Sequence, residues 1–204
     1  MGRLLSDLQS AWVKHGRSPR ELGFWAVATY RLGREGMALQ NPLLRKAASA
    51  AYGVCAFIVD VNSGVQLNRE ASIGADVHLV HGWNIKIHPA SVIGARVGIM
   101  HDVTLGTNME RPGAPIIGDD VFIGAGAKIL GGVRIGNGAR IAANSLVIAD
   151  VPPGATAVGV PARVMQYTGR ANGERRKDDR RKAATPVDVD RRKGDRRRPP
   201  APQN

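Results

Sequence analysis

The chain has a single cysteine, Cys55, in 204 residues, which excludes an internal disulfide and any cysteine-rich metal cluster. Set in an apolar run, Cys55 is expected to act as a small buried hydrophobe. Aromatic residues are equally scarce, three each of Phe, Tyr and Trp making 4% of the chain. So few rings argue against a large α/β core and against a base-stacking surface, whereas a narrow β-helix asks mainly for Ile, Val, Leu, Ala and Gly. Acidic residues are also short, 17 against 29 Lys and Arg, leaving a net charge of +12. The excess is uneven. Residues 170–204 hold thirteen Lys/Arg and six Asp/Glu, so the body carries only +5 and does not read as a nucleic-acid scaffold. No uncharged apolar run reaches 18 residues; residues 47–61, a stretch of 15 containing Asp60, come closest. The start of the chain lacks the apolar core and cleavage site of a signal peptide. A cytoplasmic protein is expected, with a peripheral contact to the inner face of the membrane left open.

What the chain has is a repeat. Small aliphatics recur every six residues at Ile73, Leu79 and Ile85, and again at Ile87, Ile93, Ile99 and Leu105. The spacing slips by two between the runs. A third run, Ile117, Ile123, Ile129, Ile135, Ile141 and Val147, keeps strict register. A six-residue period marks a parallel β-helix whose coils are three short strands, about 18 residues each. A β-sandwich would show period-two alternation and aromatic core residues, and neither is present. Between the apolar positions lie mostly Gly, Ala, Asn and Asp, suited to tight corners. Residues 107–116, with Asn108, Glu110, Arg111, Pro112, Gly113 and Pro115, read as an extruded loop that reaches toward a neighbour and closes an acceptor pocket.

Three helices are expected before the repeat, over residues 1–18, 21–37 and 43–59, the second ended by Asn41-Pro42. The third is nearly all apolar and should be buried. Together they either cap one open end of the β-helix or drive oligomerisation. The domain reading is therefore a helical region over 1–62, a β-helix over 63–168 and a disordered basic tail over 169–204. Its charge could meet anionic lipid or a polyanionic substrate.

Five histidines carry the chemistry. His81 and His101 are 20 residues apart, one coil plus the slip, so their rings should lie one above the other, about 4.8 Å apart along the axis. Taking a proton from a hydroxyl near neutral pH needs a general base. Histidine is the natural base. His81 is assigned that role, with Gly82 leaving room beside it for a ligand. His101 either binds the substrate or its reaction intermediate, or shares the proton; two stacked imidazoles disfavour double protonation. No third histidine has matching spacing, so no metal is expected. Trp83 and Asn84 are candidates for acceptor contacts, Trp83 alternatively for a subunit interface, and Glu110 and Arg111 join them from the loop. His15 is expected at the surface, His78 near a corner, and His88 in a turn before Pro89.

These residues resemble a known family. The helical GFWAVATYRLGREG, then LVHGWNIKIHPASVIG with its slip, VTLG, a loop, and IIGDDVFIGAGAKILGGVRIGNGARIAANSLVIADVPPGATAVGVPARV are similar to the hexapeptide acyltransferases, in their serine acetyltransferase-like branch. The resemblance covers roughly residues 20–166. It implies a left-handed β-helix, a homotrimer or dimer of trimers, and acetyl-CoA as acyl donor. The coenzyme would lie along Gly124, Ala125, Ala127 and Ala142, with Lys128, Arg140 and Arg163 near its phosphates. Serine enzymes of this branch carry an aspartate where Val80 stands, another where Gln66 stands, and a loop histidine that residues 111–115 lack. The pair His81 and His101 resembles colanic-acid and capsular-polysaccharide O-acetyltransferases. That resemblance implies polysaccharide biosynthesis, with a sugar hydroxyl as acceptor. Serine O-acetylation and a non-catalytic β-helix scaffold are the alternatives.

Overall fold

A computed structural model describes residues 2–165, with side chains from Leu4 onward; the expected basic tail lies outside the described residues. Helices α1 (Gly2–Lys14), α2 (Leu22–Met37) and α3 (Pro42–Ser63) precede a parallel β-helix. Asn41 does more than end α2. Its side chain accepts from the N–H groups of Leu43 and Leu44, capping α3 with Pro42 at the first helical position. Gly64, at φ +65°, closes α3 in the left-handed conformation that glycine adopts without steric penalty.

The coils stack as three faces. One runs through β1 (Gln66–Leu67), β4 (Lys86–Ile87), β7 (Thr104–Gly106), β10 (Lys128–Leu130) and β13 (Leu146–Val147). The second holds β2 (Ser72–Ile73), β5 (Val92–Ile93), β8 (Ile116–Ile117) and β11 (Arg134–Ile135). The third holds β3 (His78–Val80), β6 (Gly98–Met100), β9 (Phe122–Ile123), β12 (Arg140–Ile141) and β14 (Thr156–Val158), with β15 (Arg163–Met165) added antiparallel to β14. The sixth-residue aliphatics pair coil on coil: Leu79 with Ile99, Ile87 with Leu105, Ile123 with Ile141.

Two inward positions in each six-residue unit build the core, where the period marks one. Val77, Val97, Val121 and Ala139 lie two residues before Leu79, Ile99, Ile123 and Ile141, and all eight are at most 3% exposed. Alternation of side chains along an extended strand sends residues i and i+2 to the same side. The prism is narrow enough that aliphatic pairs fill it, which is why it needs so few rings.

The helices cap the N-terminal end, with side chains on each face. On the first face the Tyr52 hydroxyl of α3 donates to the Leu67 carbonyl at 3.3 Å and accepts from the Arg69 N–H at 3.2 Å. On the second, the Tyr30 hydroxyl of α2 donates to the Ala71 carbonyl at 2.8 Å and accepts from the Ile73 N–H at 3.0 Å. Arg31 adds bonds to the Ile73 and Gly74 carbonyls. On the third, His15 accepts from the Leu79 N–H at 3.3 Å. An open edge of unpaired backbone groups is thereby satisfied without another coil.

Three expectations fail here. His15, expected at the surface, is 4% exposed. Helix α3, expected buried, exposes Leu43, Val54, Phe57, Ile58 and Val61 by more than half each, and only Ser63 is buried. It is also long and apolar enough, by length and composition, to cross a membrane, because the helix extends beyond residues 47–61 at both ends. Cys55 lies on its exposed side rather than in the core.

Candidate active site

The two-residue slip sits at the corner between β3 and β4. Val80 pairs with Met100 and Lys86 with Thr104, so Gly82 and Trp83 are the extra residues and His81 falls in register with His101. The ring centroids are 6.3 Å apart and tilted by 59°, wider than the bare strand spacing because the rings are not parallel. His81 has φ +53°, a left-handed conformation that a β-carbon disfavours. Such a conformation persists only where surrounding contacts hold it, and it turns the imidazole outward, where it is exposed. His101 is half-buried, and its Nδ1 is buried with no hydrogen-bond partner among the described residues.

Gly82 does not leave room for a ligand. A β-carbon there would stand 2.6 Å from the Cα of Gly23 in α2, so the glycine exists to let helix and turn touch. Trp83 is 57% exposed. Asn84 donates to Asp102 Oδ1 at 2.7 Å, and Lys128 donates to the Asp102 carbonyl at 2.6 Å and to Oδ1 at 3.2 Å. Asn84 and Lys128 therefore join a corner ladder through Asp102 rather than standing free.

In the loop, Arg111 donates to Asp150 at 2.8 Å, and the Gly132 N–H donates to the Arg111 carbonyl at 3.1 Å. Arg111 binds the loop to its own coils. Hydrogen bonds from the Arg134 N–H and from Arg111 hold Asp150 below the usual carboxylate range. Glu110 is exposed, its N–H donating to Asn108 Oδ1.

Of the coenzyme candidates, Arg140 and Arg163 are exposed, Ala125 and Ala142 half-buried, and Gly124 buried. A β-carbon at Gly124 would meet the Ala143 nitrogen at 2.6 Å, so stacking of the next coil already demands glycine there. Ala127 is fully buried in the core and offers a ligand at most its backbone. Among the described residues no group of three or more His, Cys, Asp or Glu could hold a metal ion.

Outside this corner, His78 packs edge-on against His15 at 4.9 Å. Burial pushes both below the ordinary histidine value. His88 sits in its expected turn, accepting from the Ala90 N–H through Nδ1. Sequence reasoning missed His15; its partner Leu79 lies 64 residues away, and no local pattern announces it.

A six-residue-period β-helix with an exposed imidazole at a coil corner defines the class of hexapeptide transferases. The family described as "Bacterial transferase hexapeptide (six repeats)" matches residues 114–149. The serine acetyltransferase of Helicobacter pylori is 36% identical over 145 residues, 70% of this chain and 81% of that protein. That of Buchnera aphidicola is 38% identical over 165 residues, 78% of this chain and 60% of its own. A crystal structure of serine acetyltransferase in complex with coenzyme A from Brucella abortus is 29% identical with a TM-score of 0.66, covering 81% of this chain and 67% of that one. The chain belongs to the serine acetyltransferase family. It spans between 52% and 60% of the length of several relatives it matches.

This overturns the placement beside colanic-acid and capsular-polysaccharide O-acetyltransferases, and with it the sugar acceptor and the role in polysaccharide biosynthesis. That reading rests on side chains missing at three positions and on His101, and similarity over 64–78% of the chain outweighs them.

Proposed function

We propose that the chain is an acetyl-CoA-dependent O-acetyltransferase whose acceptor is serine, with His81 as general base. The observation that carries this reading is the register of His81 with His101 on adjacent coils, His81 exposed and His101 holding a buried nitrogen with no hydrogen-bond partner among the described residues. The His81 imidazole removes the serine hydroxyl proton as the oxygen attacks the thioester carbonyl. The tetrahedral oxyanion then collapses, the C–S bond breaks, and the departing thiolate recovers the proton from the imidazolium. His101, held beside it, donates to the acceptor or the oxyanion. Similarity to a coenzyme A complex supports the donor, with the small residues Gly124, Ala125 and Ala142 and the exposed Arg140 and Arg163 on the later coils as its contacts.

Gln66 and Val80 still differ from the serine-enzyme pattern, as do residues 111–115. The Gln66 amide donates to Asp60 at 2.9 Å, so a carboxylate does stand beside that position. The differences are expected to raise the KM for serine rather than change the acceptor. Trp83 and Glu110 are the exposed side chains left to complete the pocket, and a homotrimer, with adjacent prisms sharing each site, would enclose it. The exposed apolar face of α3 is the surface for any peripheral membrane contact. The test is acetyl-CoA turnover with L-serine in the wild-type protein and in His81→Ala and His101→Ala. Loss of turnover in His81→Ala with coenzyme binding retained supports the reading; unchanged turnover refutes it.

A further inference from the structure

The three end-capping side chains are not equivalent. Two are tyrosine hydroxyls, Tyr52 over β1 and Tyr30 over β2, and neither bonds the strand that runs into the His81 turn. The third, His15, caps β3, the strand that runs directly into the His81 turn. Its two ring nitrogens have opposite roles. Nδ1 lies 2.7 Å from the Ala11 carbonyl and must donate; Nε2 lies 3.3 Å from the Leu79 nitrogen and must accept its N–H. Only the neutral Nδ1–H tautomer satisfies both. The same ring sits against Gly23, where a β-carbon would stand 2.9 Å from it, and Gly23 in turn touches Gly82. Imidazole, helix N-terminus and turn therefore form one packed column, ending at the residue after His81.

We propose that His15 is a positioning residue: it holds the Leu79–Gly82 turn, and so the His81 imidazole, in its left-handed conformation. This rests on the reading of His81 as general base. A left-handed histidine is a disfavoured conformation that needs support; the bond to Leu79 with the Gly23–Gly82 contact supplies it on the near side of the turn, and the Asn84 N–H bond to the Ser63 carbonyl at 2.7 Å holds the far side. The helices thus serve the site as well as the end of the prism. The device is also acid-sensitive. Imidazolium carries protons on both nitrogens and cannot accept from the Leu79 N–H. The groups facing His15 are Lys14 and Glu21 on its own side and His78 across the contact, with His81 beyond His78. Burial, the largest effect, lowers the His15 pKa; Lys14 adds to that and Glu21 opposes it.

The experiment compares His15→Asn, His15→Gln and Tyr30→Phe with the wild type by amide hydrogen exchange and steady-state kinetics. Asn can replace the Nδ1 donor but falls short of Leu79, whereas the Gln carbonyl reaches the Nε2 position and does not titrate. In His15→Asn the Leu79 amide should exchange on the order of tenfold faster, and kcat should fall on the order of tenfold with little change in KM, as expected when a catalytic group is misplaced rather than removed. His15→Gln should restore both and remove the acid sensitivity of the Leu79 amide. Tyr30→Phe should lose stability and keep kcat. A Leu79 amide as protected in His15→Asn as in the wild type overturns the proposal, as does an equal kcat loss in Tyr30→Phe. If His81→Ala stays active, the function reading falls, and so does the catalytic part of this proposal. The exchange data then still decide whether His15 orders the turn.

Discussion

The Tyr30 hydroxyl offers the sharpest test of how the helices hold the β-helix. Replacing Tyr30 by Phe removes one oxygen and leaves the ring, which is 2% exposed, in place. Two backbone groups on the edge of the first coil then lose their partner, the Ala71 carbonyl and the Ile73 N–H. Each lies in a region closed to water, and an unsatisfied buried backbone group costs about 1–3 kcal/mol. Arg31 still reaches the Ile73 and Gly74 carbonyls, so the edge does not open completely. The combined loss should be about 2–4 kcal/mol, or a fall in Tm on the order of 5–15 °C for a fold of this size. Tyr52→Phe is the control. Its two bonds are longer, at 3.3 and 3.2 Å, and its surroundings wetter, so it should lose about 1 kcal/mol or less. Urea unfolding at one protein concentration, followed by circular dichroism, measures both. Tyr30→Phe within about 0.5 kcal/mol of the wild type, or equal to Tyr52→Phe, would refute the capping argument.

Acid should weaken the fold through His15 and His78. Burial lowers both in the folded state, so below about pH 6.5 the unfolded chain binds protons that the folded chain does not. Their contribution is complete above that pH and is lost as the pH falls toward the folded-state values. A urea midpoint that rose between pH 7 and pH 5.5 would contradict this, and His15→Gln should flatten the fall. Among the glycines, Gly94→Ala puts a β-carbon 2.6 Å from the Gly118 carbonyl carbon on the next coil. Backbone cannot yield there, and the change should destabilise by about 2–3 kcal/mol in the same unfolding assay. Gly53→Ala, on an exposed helical turn with nothing within 4 Å, should instead stabilise by about 0.5–1 kcal/mol; a loss there would mean α3 is covered by something.

The β-helix was legible in the sequence because its core is periodic: one aliphatic every six residues at the strand centres, with Gly74, Gly94 and Gly118 at corners where the next coil leaves no space for a β-carbon. The register of His81 with His101 was legible for the same reason, since a slip of known length in a periodic fold maps position onto position. Contacts that cross between helix and coil were not. His15 finds Leu79, and Gly23 finds Gly82, by tertiary packing that leaves no spacing signal. Polar side chains misled in another way. Lys128 and Arg111 look like free cations in sequence, yet Asp102 and Asp150, from other coils, engage them. The acceptor is where the sequence misleads: the side chains absent at Gln66, Val80 and residues 111–115, with His101 beside His81, point to another substrate, and similarity over most of the chain outweighs them.

The central claim is that His81 removes the proton from a serine hydroxyl. Its most direct test is turnover of acetyl-CoA with L-serine by His81→Ala, measured with coenzyme A binding by calorimetry on the same preparation. General-base participation contributes roughly 10²–10⁴-fold, so the account predicts a loss of that order with coenzyme binding intact. Turnover within a few-fold of the wild type would contradict it.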